Sequence, residues 1–320
     1  MNAKTKMEKL INQGYQNMAG MIVLKKGEEV YHQYYNGGTP DSSSHVFSVT
    51  KSILSMLYGV LSEETGLFDV NQKVLDFFPD YQIKKGEKVI QEITIADLMS
   101  MSTPYKYKTE PYIEYFKSDD WVRASLDYMG GQEKTGEFRY TPFIGPDVIS
   151  AILEKLTGGT ALEYANQHLF EPLGIKAKQE ILLPDQETHM EFHHTKECSG
   201  WVVGPSGVQT GGWGLCMTTP DMAKLGQLYM EEGVCDGKRI LSKEWIRIST
   251  EQHNHWKQYD YGYLWWLINA DKRIYAAIGD AGNVIYVNET AELVIAIRSY
   301  YVTKAKDIIK LVTDYIEPVF

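Results

Sequence analysis

Ser48 and Lys51 stand three residues apart in the stretch Phe47-Ser48-Val49-Thr50-Lys51-Ser52-Ile53-Leu54-Ser55-Met56-Leu57-Tyr58-Gly59. The apolar positions Val49, Ile53, Met56, Leu57 and Val60 recur at helical spacing, leaving Ser48, Lys51, Ser52, Ser55 and Gly59 on another, small and polar face. Residues three apart on a helix lie one turn above each other, so the Lys51 amine can reach the Ser48 hydroxyl. Ser48 would sit in the first turn, where unpaired amides and the helix dipole favour developing negative charge. A serine there, beside a lysine that burial can neutralise, is a nucleophile with its activator. The same four residues could also be a helix-capping serine followed by a surface lysine, because S-x-x-K recurs by chance.

The elements around that stretch read as follows. Residues 20–35 make two strands joined at the Gly27 turn, and a Gly/Ser/Pro/Asp-rich loop through Ser44 delivers the chain to the Ser48 helix. Thr94 caps a helix with Asp97 three residues on. The 104–136 segment mixes aromatic and charged residues without a period. Pro146 opens a helix with Ile149, Ile152, Leu153 and Leu156 on one face, stopped at Gly158-Gly159. A helix from Ala161 ends before Pro172, and Thr219-Pro220-Asp221-Met222 starts another that ends near Gly233. From Tyr261, three strand-like runs separated near 269–271 and 288–291 form an antiparallel meander, and a last helix begins near Thr303. Strands at both ends with a helical middle predict an α/β fold: an antiparallel sheet flanked by helices with an inserted, mostly helical lobe. The expected organisation is a single domain, with the α/β lobe at about 1–60 and 205–320 and the helical lobe at about 61–204.

Composition narrows the function. With 320 residues, 43% of them hydrophobic, the chain can bury a large core. A net charge of -10 without long Lys/Arg runs argues against nucleic acid or an anionic membrane surface as partner. No signal-peptide core or membrane-length apolar run is present, so a cytoplasmic location is expected. Cys198, Cys216 and Cys235 are odd in number and scattered, which gives no disulfide framework.

Three stretches then line up in order: Ser48-Val49-Thr50-Lys51; Phe138-Arg139-Tyr140-Thr141-Pro142, just before the Pro146 helix; and Gly279-Asp280-Ala281-Gly282-Asn283, at the end of a strand in the meander. Their order and context resemble the serine β-lactamase and penicillin-binding-protein superfamily, especially its class C-like branch of esterases and peptidases. The segments Leu156-Thr157-Gly158-Gly159, Leu169-Phe170-Glu171-Pro172-Leu173-Gly174-Ile175 and Gly211-Gly212-Trp213-Gly214-Leu215 look like that family's structural signatures.

The resemblance implies that Ser48 attacks a carbonyl and forms an acyl-enzyme, with Lys51 and Tyr140 sharing the proton work and no metal or cofactor. Which of the two is the resting base stays open. It also implies an oxyanion hole from the backbone N–H groups of Ser48 and Asn283, the residue after Gly282. Two departures bear on the substrate. Pro142 carries no side-chain amide and no N–H, and Asp280 stands where the family has Lys or His. Both remove groups that β-lactamases and D-Ala-D-Ala peptidases use to hold their ligands. The expectation is a serine hydrolase of a small ester or amide. The alternatives are a true β-lactamase or carboxypeptidase, or a binding protein that kept the fold. Asp280 could equally be a turn residue, and the 189–198 segment, with its His, Glu and Cys, reads as a solvated loop. Trp213, Tyr261, Tyr263, Trp265 and Trp266 read as core, with one or two free to wall an acyl pocket. Tyr105, Tyr107, Tyr112 and Tyr115 are candidates for a lid. The oligomeric state is not legible.

Overall fold

The computed structural model describes residues 2–131, 135–175, 177 and 179–320. Helix α1 (Ala3–Gly14) leads into the hairpin of β1 (Met18–Lys25) and β2 (Glu28–Tyr34), and the two-residue β3 (Ser44–His45) delivers the chain to α2 (Val49–Thr65). Helices α3 (Ile95–Met99), α4 (Tyr112–Lys117), α5 (Trp121–Tyr128), α6 (Pro146–Thr157) and α7 (Ala161–Ala165) follow, then β4 (Glu180–Leu182), α8 (Gln186–His194) and β5 (Gly200–Val203). After β6 (Leu215–Met217) come α9 (Thr219–Met230), the small hairpin β7 (Val234–Cys235) and β8 (Lys238–Arg239), and α10 (Lys243–Ser249). The chain finishes with β9 (Asn254–Trp256), β10 (Tyr259–Tyr261), β11 (Trp266–Asn269), β12 (Ile274–Gly279), β13 (Asn283–Asn288), β14 (Leu293–Ser299) and α11 (Ile308–Leu311).

The fold is an antiparallel sheet flanked by helices, as expected. Its order is β2-β1-β14-β13-β12-β11-β10-β9, so the first hairpin completes a sheet otherwise built from the last third of the chain. Side chains alternate between two cores, as the period of a strand requires. Ile22, Ile285, Val287 and Ala296 face α2 and α9, while Met21, Val284, Tyr286 and Ile295 face Met7 and Ile11 of α1 and Ile309 of α11. A second sheet, β3-β6-β5-β4, holds the loop that precedes α2. Among the described residues, no helix is long and apolar enough to cross a membrane.

Several sequence readings need correction. The meander has a further break, because Asp280–Gly282 form a tight turn with Ala281 and Gly282 at positive φ, splitting one expected run into β12 and β13. The last helix begins at Ile308, capped by Asp307, and α9 is capped by Thr218 rather than Thr219. The 61–204 stretch holds strands β4 and β5 as well as helices. Leu156 is exposed on α6 rather than packed with Ile149 and Ile152. The 104–136 segment forms α4 and α5, with residues 132–134 outside the described residues. Cys198 and Cys216 are not scattered in space: their free thiols meet with the sulfurs 2.6 Å apart.

Helix α2 departs from the simple amphipathic pattern, for every residue from Val49 to Ser62 is buried. Its small polar face is covered by protein, with Ser52 donating to the Leu264 carbonyl at 2.6 Å. Gly59 lets α10 approach, since a Cβ there would lie 2.7 Å from Leu241 Cδ2 and 2.8 Å from Trp245 Cδ1. Alanine in place of glycine inside a helix ordinarily gains about 1 kcal/mol, but overpacking a tight core costs about 1–3 kcal/mol. Gly59→Ala should therefore lower stability by about 1 kcal/mol in urea denaturation. An unchanged or raised midpoint would show that α10 yields freely.

Candidate active site

Local backbone geometry sets the position of Ser48. Phe47, with φ of 51°, turns the chain into α2 in a conformation a bulky residue rarely adopts. Thr50 holds that turn by donating its hydroxyl to the Phe47 carbonyl at 2.7 Å. Ser48 occupies the N-cap position with a helical backbone, yet its side chain makes no capping hydrogen bond. Its Oγ instead accepts from Lys51 Nζ at 3.0 Å, which removes the reading of an ordinary cap and a surface lysine.

Lys51 is 1% exposed. Besides Ser48, its amine donates to the carbonyls of Gly212 at 2.8 Å and Pro142 at 3.0 Å. Desolvation lowers its pKa to about 7, against an opposing pull from the charges of Asp280, Asp147 and Glu110. Lys51 Nζ also lies 5.0 Å from the centre of the Tyr140 ring. Burial raises the pKa of Tyr140, a hydrogen bond with Ser48 lowers it, and the charges of Asp280 and Glu110 raise it further. Ser48, Lys51 and Tyr140 thus come together in the fold. Arg139 steadies the last of these by donating its guanidinium to the Tyr105 and Tyr107 carbonyls.

Two glycines make the lysine's pocket possible. A Cβ on Gly212 would lie 2.0 Å from the Pro142 carbonyl oxygen and 3.3 Å from Lys51 Nζ. One on Gly211 would lie 2.0 Å from the Pro146 oxygen. The Gly211-Gly212-Trp213-Gly214 segment is therefore chemical as well as structural. Pro142, which read as a loss, contributes the one polar group it has, its carbonyl.

Ser48, Tyr140, Asp280 and Gly282 line one open cavity of about 340 Å³, walled by Trp256, Tyr259 and Trp266. Trp266 lies 5.5 Å from the Tyr140 ring. Of the other aromatics, Trp213, Tyr261, Tyr263 and Trp265 are buried core. Of the four lid candidates Tyr105 and Tyr115 are buried and Tyr112 is exposed. A larger groove of about 740 Å³, bordered by Tyr81, Arg123 and Glu154, includes none of the Ser48 cluster.

Asn283 does not meet its expectation. Its backbone N–H donates to the Asp280 carbonyl and closes the turn, so it is not free for a substrate. Its side chain is spent on β14: Oδ1 accepts from the Ser299 N–H at 3.0 Å, and Nδ2 donates to the Ser299 carbonyl at 3.2 Å. The glycine that approaches Ser48 is Gly279, where a Cβ would lie 2.2 Å from the Val46 oxygen and 3.2 Å from the Ser48 nitrogen. Pairing between β11 and β12 stops at Trp266 and Ala276, leaving the β12 edge open towards the cavity beyond that point. The sequence held this signal three residues before Gly282.

His189 and His193 lie on α8, not in a loop, with rings 4.9 Å apart. Burial lowers both pKa values to about 4, so neither carries charge near neutrality. Among the described residues, no group of three or more His, Cys, Asp or Glu side chains could hold a metal ion.

Fold and site together define the class, a serine hydrolase of the β-lactamase and penicillin-binding-protein fold. The β-lactamase family model matches residues 7–307, and the chain belongs to that family. It is 22% identical over 298 residues to the 6-aminohexanoate-dimer hydrolase of Paenarthrobacter ureafaciens, covering 86% of this chain and 70% of the relative. The penicillin-binding protein of Bacillus halodurans superposes with a TM-score of 0.70 at 15% identity, over 98% of this chain and 100% of that one. A family VIII carboxylesterase superposes with a TM-score of 0.71 at 15% identity, over 98% and 96%.

An acylating or phosphonylating probe should modify Ser48 alone. Intact-mass analysis of the wild type and Ser48→Ala decides this, and labelling that survives the substitution would place the nucleophile elsewhere.

Proposed function

We propose that the chain cleaves a small ester or amide through an acyl-enzyme on Ser48, with Lys51 as the resting base. The observation that carries this reading is the Lys51 amine, buried, 3.0 Å from Ser48 Oγ and lowered to a pKa of about 7. Two of its bonding directions are taken by the Gly212 and Pro142 carbonyls. In the neutral amine those two N–H groups stay bonded, and the lone pair points at the Ser48 hydroxyl. Tyr140, whose pKa is raised, keeps its proton at rest and relays protons to the leaving group. Water then attacks the acyl-enzyme with the same groups run in reverse.

For the oxyanion we assign the N–H of Ser48 and that of Asp280, the residue that follows Gly279 where the open edge of β12 ends. This replaces Asn283. One such donor is commonly worth about 3 kcal/mol.

The substrate we infer is a neutral or cationic acyl compound. Asp280 shares the cavity with Ser48, and its charge is the largest of those that raise the Lys51 pKa. Unit charges about 4 Å apart interact by about 4 kcal/mol at an effective dielectric near 20. Solvent and side-chain motion reduce this to about 1–3 kcal/mol for a substrate carboxylate. The 6-aminohexanoate dimer in the Paenarthrobacter relative's name, whose acyl half ends in an amine, and short esters are the first compounds to test.

Lys51→Ala and Tyr140→Phe should each lower kcat by about two to four orders of magnitude, with smaller changes in KM. Normal turnover by Tyr140→Phe would remove it from the proton path. The pH profile follows from the same groups. Activity needs neutral Lys51, so kcat should rise with pH through about 7. Asp280 stabilises the ammonium, so Asp280→Asn should move that rise to lower pH.

For a matched pair of esters, the wild type should favour the one without a carboxylate by about ten- to hundred-fold in kcat/KM. Asp280→Asn should narrow the gap. A wild-type preference for the anionic ester would show that Asp280 does not face the substrate.

A further inference from the structure

The reaction above makes no use of Asp147, a carboxylate 2% exposed at the start of α6, directly behind the lysine pocket. Acidic residues in a first helical turn are common and usually stay at the surface, where they complement the helix dipole. This one is buried and bonds outside its own helix. Oδ1 accepts from the backbone N–H of Gly211 at 2.8 Å, and Oδ2 accepts from the hydroxyl of Tyr115 on α4. The next peptide along, at Gly212, supplies the carbonyl that accepts from Lys51 Nζ at 2.8 Å. Pro146, the residue before Asp147, presses its carbonyl against Gly211 so closely that only glycine fits. Asp147, Gly211, Gly212 and Lys51 thus form one chain of contacts ending at Ser48.

We propose that Asp147 is a positioning residue for Lys51, holding the Gly211–Gly212 backbone so that the Gly212 carbonyl keeps the amine aimed at Ser48. This rests on the reading of Lys51 as the base for Ser48. Its charge acts on the same lysine as its bonds, but favours the protonated form. Lys51 is faced by Asp147 from α6, Asp280 from the β12–β13 turn, Glu110 from the segment before α4, and the Tyr140 hydroxyl. Asp147 itself is faced by Tyr115, by Lys51 and by the Gly211 and Gly212 N–H groups, which counter the upward pull of burial and leave its pKa at about 6. Above that pH it is an anion beside the lysine, and an anion there favours the ammonium. Removing the charge while keeping an oxygen acceptor separates the two contributions.

The test is the rate at which a fluorophosphonate labels Ser48 as a function of pH, in the wild type, Asp147→Asn and Asp147→Ala, with thermal melts of each. The wild-type rate should rise through pH about 7. Asp147→Asn retains an oxygen for the Gly211 N–H, so its rate should hold within about fivefold while the rise moves down by roughly half to one pH unit. Asp147→Ala loses the acceptor as well, and its plateau rate should fall about ten- to hundred-fold. With an ester substrate that fall should appear in kcat, with KM within about threefold, because Asp147 does not line the cavity that holds Ser48. A folded Asp147→Ala protein with the wild-type rate and profile overturns the proposal. If that variant does not fold, an unmoved profile in Asp147→Asn overturns it. An unlabelled wild type overturns the acyl-enzyme reading and this inference together, whereas a labelled wild type with unmoved variants overturns this inference alone.

Discussion

A lysine amine kept out of water next to a serine is the interaction on which the remaining architecture depends. Withdrawing an ammonium from solvent is costly, and the protein does not offset the cost with a paired carboxylate. It supplies two backbone carbonyls and lets the proton affinity fall. Those carbonyls lie 91 and 161 residues from the lysine in sequence, so the pocket for its amine exists only where three distant segments meet. The Gly-Gly approach, the buried α2 and the clamp behind Gly212 all follow from that requirement. Three carboxylates at longer range temper the effect and keep the amine close to neutral pH rather than far below it.

How much of this was legible depended on which atoms carried the information. The Ser48–Lys51 pair was readable because helical spacing converts two residue types into one contact. Tyr140 was singled out only through the family resemblance, and the sheet was readable from runs of β-branched and aromatic residues. What stayed hidden was carried by main-chain atoms. No residue type announces that the Pro142 carbonyl will accept from a lysine, or that Asn283 will spend its N–H on the Asp280 carbonyl. The glycine signal was present twice, at Gly279 and Gly282, and spacing alone could not tell a close approach from a turn. Asp147 drew no reading from the sequence, because its partners, Tyr115 and Gly211, are 32 and 64 residues away.

The two departures from the family pattern belong together. Pro142 withholds an amide that would bind substrate, and Asp280 puts an anion where a cation is customary. Neither disturbs the path from Ser48 through Lys51 to Tyr140, because the lysine's partners are a proline carbonyl and a glycine carbonyl, which survive such changes. In the proposed reading, recognition and bond-breaking therefore rest on separable groups. The aromatic wall of Trp256, Tyr259 and Trp266 offers apolar surface to a substrate in place of the lost polar contacts.

The way β1 joins the sheet has a consequence for how the protein comes into being. Its partner on one side, β14, spans Leu293–Ser299, so the hairpin made first waits for the last strand before that edge is covered. Pairings of such sequence separation close late, after much of the chain has left the ribosome. Ser48 on α2 is therefore synthesised long before β12 arrives to lie against it. A nascent chain carries Ser48 and Lys51 before it has the cavity wall that β12 supplies.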